Sequence, residues 1–149
     1  MDSNAIIIER TFQTPTMEVW NALTVNDQMK QWYFDLEEFK PEIGFGFRFI
    51  GGTENNKYVH VCEVTEVEIG RRLSYSWRYE GYAGVSFVTF RLIHEDDLTK
   101  LILIHDGLET LPKSNLDFAR NNFVAGWTEI IGKNLAGFLN KNLEDYSEN

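Results

Sequence analysis

Residues 73–80, Leu-Ser-Tyr-Ser-Trp-Arg-Tyr-Glu, place an apolar or aromatic side chain at every second position and a polar one between. Successive side chains of a β-strand point to opposite faces, so Leu73, Tyr75, Trp77 and Tyr79 share one face and Ser74, Ser76, Arg78 and Glu80 the other. So clean a division belongs to an antiparallel sheet with one wet face and one buried face.

The same parity runs outward from this strand. Phe45, Phe47 and Phe49 alternate with Gly44, Gly46 and Arg48, and Val88, Phe90 and Leu92 continue the inner face, followed by Leu101, Leu103 and His105. Tyr58, His60 and Cys62 share an inward parity too, which a β-bulge in their strand would reverse. Turn residues separate the runs at Pro41 to Gly44, Gly51 to Asn56, Gly70-Arg71, Gly81 to Gly84 and Glu95 to Asp97. From Tyr33 to Ile104 the chain therefore reads as an antiparallel meander.

Helices flank it. Ile6 to Phe12 reads as a first strand, and Pro15 then opens a helix with Val19, Trp20 and Leu23 on its apolar side and Glu18 near its positive end. Asn26 or Asp27 is suited to cap a second short helix that ends near Trp32. Ser114 to Leu143 reads as one long amphipathic helix, with Ser114 and Asp117 resembling a capping box. Its stripe is Phe123, Trp127, Ile130, Ile131, Leu135, Phe138 and Leu139. Gly126, Gly132 and Gly137 each cost roughly 1 kcal/mol there relative to Ala, which close packing or a bend would explain. The polar tail from Glu144 is expected to fray.

The predicted architecture is α+β: a curved antiparallel sheet of six to seven strands, two short helices after strand 1, and the long C-terminal helix across the concave face. With 149 residues and no repeat or linker, one domain over residues 1–149 is expected.

Composition narrows the function. A net charge of −9 argues against nucleic acid and anionic lipid as partners. One cysteine rules out an internal disulfide, no apolar run approaches the roughly 18 residues of a membrane span, and Met1-Asp2-Ser3-Asn4 lacks a basic signal region. A cytoplasmic protein is the expectation.

Eleven Phe, six Tyr and four Trp are more rings than one helix can flatten against a sheet, so a partly open interior is expected. Its candidate lining is Trp32, Phe47, Tyr58, Trp77, Tyr79, Phe90, His105, Phe123 and Trp127, and a small apolar or aromatic molecule is the ligand such a lining suits. Ordinary core packing is the competing explanation for each ring.

His105 points inward beside Trp127, where a ring nitrogen suits a ligand's polar group or acid/base work; the plainer reading is a buried histidine tied to a neighbouring hydroxyl or backbone group. His94 sits at a hairpin end. Three histidines on separate segments lack metal-site spacing, and no nucleophile elbow, P-loop or dinucleotide fingerprint occurs, so neither metal nor cofactor is expected. Cys62 reads as a small buried hydrophobe, and Glu63, Glu66 and Glu68 as solvated carboxylates. An enzyme of the cyclase or hydrolase kind on an apolar substrate stays open as an alternative.

Together, Phe12, Pro15, Val19-Trp20 and Trp32, then Gly44 to Phe49, Arg72-Leu73, Val88-Thr89-Phe90, Thr99 to Gly107 and Gly126-Trp127 resemble the START-like, helix-grip superfamily. Within that birch-pollen-allergen-like group the pattern is similar to the branch of activator-of-heat-shock-chaperone-ATPase homologues, over essentially the whole chain. Two departures touch hairpins: Gly44-Phe45-Gly46 stands for the family's double glycine, and Leu98-Thr99 for its Gly-Thr. The resemblance implies a hydrophobic cavity and a possible stress or chaperone-associated role. Eukaryotic co-chaperones of this kind carry a separate N-terminal activating domain, which is not expected here. The first strand is a candidate sheet edge, compatible with a monomer or a homodimer.

Overall fold

The computed structural model describes residues 5–52 and 56–140. Strand β1 (Ile6–Phe12) is followed by helices α1 (Thr16–Thr24) and α2 (Asn26–Trp32), and then by β2 (Gly46–Gly52), β3 (Lys57–Glu68), β4 (Arg72–Tyr79), β5 (Ser86–Glu95) and β6 (Leu98–Asp106). The six strands form one antiparallel sheet in the order β1-β6-β5-β4-β3-β2, which leaves β1 and β2 at its edges. Helix α3 (Arg120–Glu129) runs directly into a π-helical segment, Ile130–Leu135, and helical structure continues to Asn140.

The parity of the strands places the core. Leu73, Tyr75, Trp77 and Tyr79 are buried, as are Val88, Phe90 and Leu92 on β5 and Leu101, Leu103 and His105 on β6. On β3, His60, Cys62 and Val64 are buried, and the one bulge lies between Val64 and Glu66, beyond them. It moves Val67 into the inward position opposite Leu73, so the inner face is preserved on both sides of the irregularity.

Four local expectations are corrected. Residues 33–45 are irregular rather than part of the meander, and they fold Leu36 and Phe39 into the core around the β2 edge. The long helix does not start at Ser114: residues 116–118 make a 3-10 turn capped by the Asn115 side chain, which accepts the Asp117 amide at 3.0 Å. Asp117 spends its carboxylate on Tyr58 and Asn56 instead, so Ser114 and Asp117 form no capping box, and α3 begins at Arg120. Neither Asn26 nor Asp27 caps α2, whose N-cap is Val25; the Asn26 amide donates to the Glu37 carbonyl at 3.2 Å. The expected helix end at Leu143, and the tail from Glu144, lie outside the described residues.

Of the two explanations expected for the helical glycines, close packing or a bend, the first fails at two of them. A Cβ at Gly126 or Gly137 would meet nothing within 4 Å, so close packing does not explain either. Gly132 alone has a neighbour, Arg10 Nη1 at 3.5 Å, and it sits inside the π-helical segment. Among the described residues no helix is long and apolar enough to cross a membrane.

Candidate functional site

The concave face of the sheet meets α3 and residues 33–39 in one continuous cluster of rings. Trp77 lies near its middle, with ring centres 5.5 Å from both His105 and Trp127 and 5.6 Å from Phe49. Phe90 contacts Trp127 at 6.1 Å and Tyr75 at 6.0 Å, and Phe123 contacts His105 at 5.3 Å. Phe47 joins through Tyr75 at 5.1 Å. The structure therefore brings Trp77, Phe90, His105, Phe123 and Trp127 together, with Phe47 and Tyr79 adjoining.

Trp32 and Tyr58 are placed differently. Trp32 donates its Nε1 hydrogen to the Ala22 carbonyl at 2.9 Å, stitching α2 to α1, and its ring meets the cluster through Tyr33 at 5.0 Å. Tyr58 sits half-buried at the rim, donating to Asp117 Oδ2 at 2.5 Å and accepting from Asn115 at 3.1 Å. The hydrogen bond to the Asp117 carboxylate is the main cause that raises its phenol pKa. Beside it Phe118 stacks on Tyr79 at 4.4 Å, so this end of the interior is closed by one polar and one aromatic contact.

His105 is held in a chain of hydrogen bonds. Trp127 Nε1 donates to His105 Nδ1 at 2.9 Å, which leaves the ring proton on Nε2. Nε2 then donates to Ser86 Oγ at 2.8 Å, and Ser86 donates to the Trp77 carbonyl at 3.0 Å. Both nitrogens are thus engaged in a fully buried group, and burial lowers its pKa to about 3. In this arrangement both nitrogens of the neutral imidazole serve hydrogen bonds within the fold. His60 is similar: burial lowers it to about 4, opposed by the Tyr58 and Phe49 carbonyls, and its ring stacks on Phe49 at 4.4 Å.

Three rings central to this interior were not among the predicted lining residues. Tyr33 stacks with Trp127 at 6.2 Å, Phe34 with Phe49 at 4.2 Å, and Tyr75 meets Tyr33 hydroxyl to hydroxyl at 2.5 Å. Tyr75 carried the inward parity that would have found it. Tyr33 and Phe34 lie in the irregular segment, where periodicity gives no signal.

The polar tips of these rings matter chemically. Two hydroxyls in contact share one hydrogen bond, so one of the two protons of Tyr33 and Tyr75 has no acceptor among the described residues. Tyr79 accepts from Trp77 Nε1 at 2.9 Å, and its own proton is in the same position. Burial raises the pKa of all three phenols, so they remain O–H donors across the ordinary pH range. Cys62 is buried beside them, its thiol pushed up by burial, which suits a packed hydrophobe and not a nucleophile. Among the described residues no group of three or more His, Cys, Asp or Glu side chains could hold a metal ion.

A hollow of about 1210 Å³ opens on the opposite, outer face of the sheet, between Arg48, Glu63, Arg78 and Phe87. The inner face is occupied by ring-to-ring contacts.

Residues 13–140 match the family model described as Activator of Hsp90 ATPase homolog 1-like protein. No curated protein matches the sequence. Among solved structures, protein CV1439 from Chromobacterium violaceum is 20% identical with a TM-score of 0.76, over 91% of this chain and 96% of that one. CalU16 from Micromonospora echinospora is 27% identical with a TM-score of 0.68, over 97% and 81%. MLL2253 from Mesorhizobium loti is 26% identical with a TM-score of 0.74, over 92% and 97%.

Proposed function

Because the chain belongs to the Activator of Hsp90 ATPase homolog 1-like family, a START-like helix-grip group, we propose that it binds a small, largely apolar molecule carrying a hydrogen-bond acceptor. The molecule would enter between the sheet and α3 by parting the ring contacts of Trp77, Phe90, Phe123 and Trp127, with Tyr79 and Phe47 at its margins. It acts as one domain in the cytoplasm, as monomer or homodimer, without metal or cofactor and without breaking a bond.

The observation that carries this reading is the buried phenol protons. A buried donor without an acceptor costs about 1–3 kcal/mol, and proteins satisfy such groups with other side chains, water or ligand. The buried Tyr75 and Tyr79 and the half-buried Tyr33 sit among rings, and a carbonyl or ether oxygen on a flat apolar molecule would supply an acceptor there. Trp32 and His105 have their polar atoms fully used and contribute shape alone.

The test is a titration with planar aromatic and acyl compounds, with and without a carbonyl, followed by tryptophan emission and melting temperature. Binding to the folded state raises stability by mass action. Carbonyl-bearing compounds are expected to stabilise the wild type and to bind Tyr75→Phe about 10-fold more weakly, the loss of one buried hydrogen bond. Absence of any shift across the panel overturns the proposal.

The family's description supports a second reading, association with a heat-shock chaperone. It predicts co-purification with the chaperone and stimulation of its ATPase, and failure of both removes it.

A further inference from the structure

At the far end of the outer sheet face a separate hollow of about 510 Å³ is lined by Glu68, Arg71, Arg72 and Arg91, together with Gly70 and His94. We propose that this hollow is a binding site for a tetrahedral oxyanion, the phosphate group of a small phosphorylated molecule.

Three arginines converge here in a chain whose net charge is −9 and whose basic residues number 14. Arg72 and Arg91 stand directly opposite each other in the β4–β5 register. Like charges in that relation destabilise a sheet, and an anion between them reverses the sign. Among the described residues neither Arg71 nor Arg91 makes an ion pair.

The site is built on paired backbone. The Arg71 carbonyl accepts from the Leu92 amide at 2.8 Å and its amide donates to Glu68 at 2.9 Å, which fixes the turn against β5. Arg72 is aimed by a relay on the outer face. Its Nη1 donates to Glu66 Oε2 at 3.3 Å, Glu66 Oε1 accepts from Ser74 at 3.2 Å, and Ser74 is bonded to Thr89 at 2.9 Å. Ser74 is buried and anchors the Glu66 end of this relay, while the Arg72–Glu66 pair itself faces solvent. A guanidinium has five donors, and Glu66 uses one. The rest, with Arg71 and Arg91, form the planar forks that suit phosphate oxygens. Glu68, opposite Arg72 in the β3–β4 register, is the one carboxylate lining the hollow. It leaves an excess of positive charge for the ligand.

The experiment is a titration of the full chain with inorganic phosphate at constant ionic strength, followed by the Nε–H NMR signals of the arginines. Saturable shifts at Arg71, Arg72 and Arg91 are expected in the wild type. Arg91→Gln should weaken the affinity about 10-fold or more, the loss of a charged hydrogen bond, while its stability without phosphate is equal to or above that of the wild type because a facing like charge is gone. Tryptophan emission should not respond, which separates this site from the interior one. Non-saturable shifts shared by arginines outside the hollow, such as Arg48, or an undiminished response in Arg91→Gln, overturn the proposal.

Discussion

At the scale of single residues the most informative group is Ser86, which no sequence pattern singled out. Its hydroxyl accepts a hydrogen bond from His105 Nε2 and donates one to the Trp77 carbonyl, so it joins β4, β5 and β6 at one atom. Ser86→Ala keeps the shape but leaves a buried N–H without an acceptor. The expected cost is about 1–3 kcal/mol, measured by urea denaturation, whereas a loss below about 0.5 kcal/mol would show that the chain of bonds is not stabilising. The inward parity of His105 was legible because strand alternation is a local property. Its partners were not, because Ser86 and Trp127 lie 19 and 22 residues away and reach it only through strand pairing and helix docking. The same limit hid the hydroxyl contact between Tyr33 and Tyr75.

At the scale of elements the strands were readable and the terminal helix was only half so. Buried Phe123, Trp127, Ile131, Leu135 and Leu139 recur at intervals of four. An α-helix turns about 100° per residue, so residues four apart drift about 40°, and the four steps together drift about 160°. A straight helix would carry Leu139 away from the sheet. The π-helical segment Ile130–Leu135 takes more residues per turn and restores the stripe to the buried side. The sequence stripe, which also holds Ile130 and Phe138, mixes spacings of three and four and did not single out this segment. With the stripe accounted for in this way, nothing in the packing requires glycine at position 126, where a Cβ would meet nothing within 4 Å. Gly126→Ala should therefore raise stability by about 0.5–1 kcal/mol. Gly84→Ala should do the opposite and by more, since its φ is +96° and a Cβ would fall 2.2 Å from the Thr110 carbonyl oxygen. Thermal melts of the two variants check both signs, and a destabilised Gly126→Ala would show that the helix needs that glycine for a bend.

At the scale of the whole molecule, burying so many titratable rings shapes how stability depends on pH. His60 and His105 are held neutral, with pKa values lowered to about 4 and about 3. The unfolded chain takes up their protons near the ordinary value of 6.5, so below that pH it binds more protons than the folded state. Stability should thus fall as pH drops from about 6.5 toward 4, by up to about 1.4 kcal/mol per unit for each histidine. On the alkaline side Cys62, Tyr33, Tyr75 and Tyr79 are all raised by burial. In the unfolded chain they ionise from about 9 to 10 upward, so stability is present below that range and lost above it. The expected profile is a plateau between about 6.5 and 9 with a slope on either side. Urea midpoints measured across pH 4–11 test it, and His60→Gln with His105→Gln tests the acid limb, whose slope should flatten as the two groups are removed. If the acid slope is unchanged in that double variant, carboxylates and not the buried imidazoles govern the loss, and the interior is wetter than its ring contacts imply.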